Sequence, residues 1–357
     1  MDKRTLYQAV VDFNRLQSEN NAGAAHNLQP ARECIRTAQD GAERKRGLVC
    51  LAMECQPEVY PLRNRLDNWA NYPGETRAGR ARKMRPDVLA LMERRDAAAV
   101  SLGYVGYADG ILAADGLQGD WLIGKLTDYL KTHLPATAKW AHEENIAMVD
   151  WFSRLHRMAM LMEPSAPMPL LETFACRMGL EPVLPRLSIA MTDHFCFASQ
   201  TDSRRIHLAI SPIDSMYSWC TLYHEFGHAC VYASLPQNDL PWLSPLVDEV
   251  IAVLFAHTAL QLLCDDGLRS QGLAVLHTDY TRACVSGLFK LDLWRNRTDP
   301  ERLYQNWYSQ LGVQVEPEEW ALDSFRSIDC MTVFAYPLGQ ALAESIPAGK
   351  TATGTGP

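Results

Sequence analysis

The stretch Ser215 to Ala229 reads SMYSWCTLYHEFGHA. Met216, Trp219, Cys220, Tyr223 and Phe226 recur at three- and four-residue spacing, which predicts a helix. Asp214 or Ser215 supplies its N-cap. Inside it lies HExxH, running from His224 to His228. On a helix, positions i and i+4 stack on one face, so both imidazoles can point a nitrogen at one zinc ion. Glu225 sits beside that face and reaches a water at the ion without ligating it, the place a general base needs. Two core histidines on a buried helix are the competing reading. Gly227 weakens a helix interior by about 1 kcal/mol relative to Ala, so it is expected to permit close approach of a strand or a substrate.

A catalytic zinc site needs a third protein ligand and an open position. A third histidine six residues after the motif, with glycine at three, is one solution. Those positions hold Ser234 and Val231, so it fails. A glutamate on the next helix is the other. Ser244-Pro245 opens such a helix, and Asp248-Glu249 leads into the apolar run Val250 to Ala256. Carboxylates entering so apolar a run need a partner. Glu249 is the ligand candidate, with Asp248 as its support or as a helix cap.

Residues 1–165 read as successive helices, with breaks at Asn71-Tyr72-Pro73-Gly74 and near Gly116 to Gly119. The segment Glu163 to Pro169 is the expected lobe boundary. Leu187 to Met191 and Ile206 to Ile210 read as short strands. The expectation is therefore a mainly α chain with a small β-sheet beside the HExxH helix. It divides into a helical lobe at 1–165, a catalytic lobe at 166–347 and a flexible tail at 348–357.

The chain has 357 residues and a net charge of −8, which argues against nucleic acid as its main partner. The basic segment Arg77, Arg80, Arg82, Lys83 and Arg85 reads as a solvated helix face. No apolar run approaches the ~20 residues of a membrane span. The N-terminus reads as an amphipathic helix with no signal-peptide core. Ten cysteines without CxxC spacing read as reduced core thiols in a cytoplasmic protein. Cys220 and Cys230 flank the motif but point away from its ligand face. Gly119 to Leu126 nearly matches a phosphate-binding loop, but Leu126 stands where Ser or Thr must hold Mg²⁺ and no strand precedes it.

Arg205-Ile206-His207-Leu208, Asp214, Thr221 to Ala229 and Glu249-Val250 together resemble the thimet oligopeptidase and oligopeptidase F family. The resemblance is strong over 195–345 and faint over 85–135. It implies a helical, zincin-like clamshell and a zinc endopeptidase of short peptides. One zinc ion per chain would be held by His224, His228 and Glu249, with Glu225 as the base. Phe334 to Ala341 is similar to the family's tyrosine-rich segment, in which Tyr336 would stabilise the tetrahedral intermediate. The chain departs from the pattern at Thr332, Phe334 and Ala256. Arg326 stands where a histidine is usual and would act as a fixed positive charge, and Pro337 would kink or restart the helix. These departures bear on rate and substrate preference more than on the metal. The front lobe is short, so the cleft would be more open, or closed by a homodimer. A peptide substrate would lie along the edge of the small sheet, with Ile206 to Ile210 as its platform. Two other readings are a catalytically degenerate peptide- or protein-binding module and a dedicated leader-peptide protease.

Overall fold

The computed structural model describes residues 58–74, 76–192, 196–200, 205–236, 243–323 and 332–345. The expected N-terminal amphipathic helix, Arg326 and the tail lie outside these residues. Among the described residues before the expected lobe boundary are five α-helices: α1 (Tyr60–Asp67), α2 (Arg77–Ser101), α3 (Tyr107–Ala114), α4 (Gly119–Glu143) and α5 (Trp151–Met158). Then follow β1 (Met160–Ser165), α6 (Pro167–Met178), β2 (Leu187–Met191), β3 (Phe197–Gln200), β4 (Ile206–Ile210) and β5 (Ile213–Ser215). The remainder is helical: α7 (Met216–Ser234), α8 (Pro245–Gln261), α9 (Asp266–Arg295), α10 (Pro300–Tyr308), α11 (Trp320–Asp323) and α12 (Ala335–Ser345).

The HExxH helix α7 begins at a reciprocal cap. The Ser215 hydroxyl accepts from the Ser218 amide at 3.2 Å, and the Ser218 hydroxyl accepts from the Ser215 amide at 3.1 Å. Two orphan donors are thereby satisfied, and the helix start is fixed. Beyond the cap, Trp219, Leu222, Tyr223, Phe226, Ala229 and Val231 are all buried, so α7 is covered on every side. The 30-residue helix α9 runs through the same core, with Val275, Cys284, Phe289 and Leu293 fully buried.

The sheet corrects one expectation. Its strand order is β2-β4-β3, with β2 parallel and β3 antiparallel to β4. Ile206 to Ile210 is therefore the central strand, and both of its edges are paired. Strand addition needs unpaired N–H and C=O groups, so β4 cannot be the peptide platform. Among the described residues, the outer edges of the sheet belong to β2 and β3. Gly227 is a second correction. A Cβ there would lie 2.8 Å from Ala252 Cα and 3.1 Å from Phe255 Cβ, so the glycine admits helix α8, neither strand nor substrate.

Other sequence features take local roles. Arg77, Arg82 and Arg85 of α2 pair with Glu319, Glu318 and Glu301 at 3.2, 2.8 and 2.6 Å. The basic face thus ties α2 to the C-terminal half. The near-match to a phosphate loop, Gly119 to Leu126, forms the first turns of α4 itself. Pro337 falls in the first turn of α12, after a 3₁₀ turn at Thr332–Phe334, so it restarts the helix there.

Candidate metal centre

Helices α7 and α8 pack antiparallel through the Gly227–Ala252 contact, and this brings three side chains to one point. His224 Nε2 and His228 Nε2 are 3.2 Å apart. Glu249 Oε2 is 3.3 Å from the first and 3.8 Å from the second. A tetrahedral zinc with bonds of about 2.0–2.1 Å has ligand–ligand edges of about 3.3–3.4 Å. Glu249 Oε2 is buried without a hydrogen-bond partner, which a carboxylate oxygen tolerates when a cation faces it. The residues present therefore fit a divalent cation of the zinc type, bound by two imidazoles and a carboxylate.

The surroundings hold this arrangement in place. His228 Nδ1 lies 2.9 Å from Asp248 Oδ1, and the Tyr232 hydroxyl donates to the other Asp248 oxygen at 3.0 Å. A carboxylate behind a ligating imidazole fixes its tautomer and raises its basicity. Asp248 thus stands in close ion-pair contact behind His228, although the two facing atoms are outside hydrogen-bond geometry. The Tyr336 ring stacks on His224 with centroids 5.7 Å apart. It lies close enough to the Glu249 carboxylate for each to shift the other's protonation.

Burial and charge then set the protonation states. Burial pushes the Glu225 carboxyl up, and the two histidines offset this in part. Burial also works against Glu249, but His224, His228 and Tyr336 outweigh it and hold that carboxyl below its ordinary value. Burial opposes charge on His228 as well, yet Asp248 and the neighbouring glutamates push it up to about 9 in the metal-free chain. Tyr336 is held well above the ordinary phenol value, first by Glu249 and then by burial, so it remains a neutral donor.

His224, Glu225 and Tyr336 line a cavity of about 410 Å³. Phe152, Tyr217 and Tyr280 supply its aromatic walls. Its polar wall carries His156 and the Asp279–Arg282 pair, in which Arg282 Nε donates to Asp279 at 3.0 Å. Cys196, just ahead of β3, also lines it, so that strand runs to the mouth of the site. Cys220, one turn before His224, also belongs to the wall, contrary to the expectation that it points away, and burial pushes its thiol far above the usual range. The six cysteines among the described residues are free thiols.

Of the residues singled out in the sequence, the structure brings His224, Glu225, His228, Glu249 and Tyr336 together. Phe334, where the resemblance led us to expect a tyrosine, is fully buried in the core. Ala256, where a further glutamate would stand, is buried likewise. Sequence reasoning missed Tyr280, Asp279, Arg282 and His156. One signal was available for two of them: Asp279 and Arg282 sit three residues apart on α9, the spacing of a helical ion pair.

The chain is similar to a structure of PZ peptidase A with inhibitor 2, at a TM-score of 0.57 and 13% identity, over 95% of this chain and 72% of that one. It is also similar to the structure of a protein assigned as an oligoendopeptidase F from Bacillus anthracis str. Ames, at a TM-score of 0.54 and 13% identity, over 95% of this chain and 71% of that one. These likenesses show the fold, a mainly α architecture with a small sheet beside the HExxH helix. No family model and no curated protein matches the sequence.

Proposed function

We propose that the protein is a metallopeptidase that hydrolyses peptide bonds in extended peptides. The observation that carries this reading is a two-histidine, one-glutamate cluster that reaches, through His224, the same cavity that Glu225 and Tyr336 line. A divalent cation at His224, His228 and Glu249 supplies a Lewis acid for the scissile carbonyl and makes water a better nucleophile near neutral pH. Glu225 takes a proton from the attacking water and delivers it to the leaving amine, a task that suits a carboxyl raised toward neutrality. The Tyr336 phenol, neutral and aimed at the cluster, donates a hydrogen bond to the developing oxyanion. The substrate backbone adds to the edge of β3, whose start reaches the cavity, and its side chains meet the aromatic wall.

The test is mass spectrometry of products from a mixed peptide pool, with and without a chelator. We expect chelator-sensitive cleavage and, in Glu249→Ala, loss of the zinc held by His224 and His228. Intact peptides in both arms would leave the second reading, a module that binds peptides without cutting them. That reading draws on the burial of Phe334 in the core, which leaves the segment Phe334 to Ala341 with Tyr336 as its one phenol. A narrow set of cleaved sequences would instead mark a protease dedicated to one leader peptide.

A further inference from the structure

A second cluster of potential ligands lies about two turns further along α12 than Tyr336. His133 of α4, His277 of α9 and Glu344 of α12 offer ligand atoms that all lie within 4.8 Å of one another. His277 Nε2 is 2.6 Å from Glu344 Oε1, and His133 Nε2 is 4.0 Å from Glu344 Oε2. The two imidazoles lie 4.3 Å apart between centroids. Glu344 is eight residues beyond Tyr336, about 12 Å along the helix, so this cluster is separate from the first.

One atom of the cluster is left over. His277 Nε2 lies 2.6 Å from Glu344 Oε1, where its N–H donates to the carboxylate. The amide of the fully buried Gln340 gives its two protons to Glu344 Oε1 at 2.9 Å and His257 Nδ1 at 3.3 Å. Gln340 Oε1 remains buried with no partner. A buried amide oxygen left without a donor is costly unless a cation faces it. Turning the amide about would bring Oε1 against the Glu344 carboxylate, an arrangement that repels unless a cation sits between them.

We propose that His133, His277 and Glu344 form a second divalent-cation site, with Gln340 as a fourth oxygen donor. Two imidazoles, a carboxylate and an amide oxygen suit zinc-type ions. The ligands come from three helices, and four donors leave no open position, so the role is structural. Such an ion staples α12 to α4 and α9. Because α12 also carries Tyr336, the staple fixes the height of that phenol over His224. This inference stands apart from the peptidase reading and does not need it.

The test is zinc stoichiometry in the full chain after dialysis against micromolar zinc, with thermal unfolding alongside. Wild type is expected to hold two equivalents. Glu249→Ala should keep one, and His277→Ala and Glu344→Gln should each keep one. Glu344→Gln retains an oxygen for the Gln340 amide, so its unfolding temperature in chelator should stay near wild type while its zinc-dependent rise shrinks. A chain that holds one equivalent, unchanged in Glu344→Gln and His277→Ala, overturns the second site. A chain whose single equivalent survives Glu249→Ala but not His277→Ala supports the second site and refutes the first.

Discussion

His228 is gripped from two sides. Asp248 stands at one ring nitrogen, 2.9 Å away, and the other faces the point shared with His224 and Glu249. Glu225 is different in kind. It is as buried as the two histidines, yet it has no place in their three-membered cluster. Glu225→Gln keeps the size of the side chain and removes the base. We expect zinc content to remain at the wild-type level and kcat/KM on a cleaved peptide to fall by about 10²–10⁴. Normal turnover by this variant would dismiss Glu225 as the base. Tyr336→Phe removes a single hydroxyl from a ring that keeps its stack on His224. Its expected signature is kcat lowered by about 10²–10³ with KM little changed, as for other oxyanion donors. A rise in KM alone would show that the hydroxyl binds substrate and does not act in the transition state. The HExxH spacing and the acids entering an apolar helix made His224, His228 and Glu249 legible in the sequence, because both signals are local. The walls of the cavity were not, since His156, Tyr280 and Arg282 meet it only through tertiary packing of α5 and α9 on α7.

At the scale of elements, the distance between α7 and α8 decides whether the cluster exists. Gly227 and Ala252 touch about one turn from the ligand pair His224 and Glu249. A methyl at Gly227 would lie 2.8 Å from backbone, which has no flexible end to swing away. Gly227→Ala gains up to about 1 kcal/mol of helix propensity, but overpacking of this sort costs about 1–3 kcal/mol. We expect net destabilisation by chemical denaturation together with weaker zinc binding, since the helices must part where the ligands meet. A variant more stable than wild type, with unaltered zinc affinity, would show that the contact does not set the spacing. The sequence pointed to a close approach at this glycine and named the wrong visitor. A glycine reports only that something comes near, and its partner lies 25 residues downstream. Strands β2 and β4 were legible for the same local reasons as the helices. β1, β3 and β5 were not, and without β3 the strand order could not be read: it spans only four residues, Phe197–Gln200, of which the last two are polar.

Across the whole molecule, the net charge of −8 has a counterpart in the core of the site. Glu225, Asp248 and Glu249 crowd two imidazoles on α7 and α8, all five side chains drawn from water or nearly so. Like charges at such spacing repel, and burial removes the solvent that would screen them. The metal-free chain therefore carries a local excess of negative charge at the joint between two of its central helices. A divalent cation relieves that excess in the folded state and finds no preformed site in the unfolded one. At a free zinc concentration of a thousand times Kd, one such site contributes about 4 kcal/mol. The chelated protein should accordingly melt several degrees below the zinc-loaded one by differential scanning calorimetry. The difference should shrink in Glu249→Ala, which takes away a ligand and also part of the repulsion, so that variant in chelator should melt no lower than chelated wild type. Identical melting with and without zinc would mean that the cluster on α7 and α8 is held by hydrogen bonds alone, and the metallopeptidase reading would fail with it.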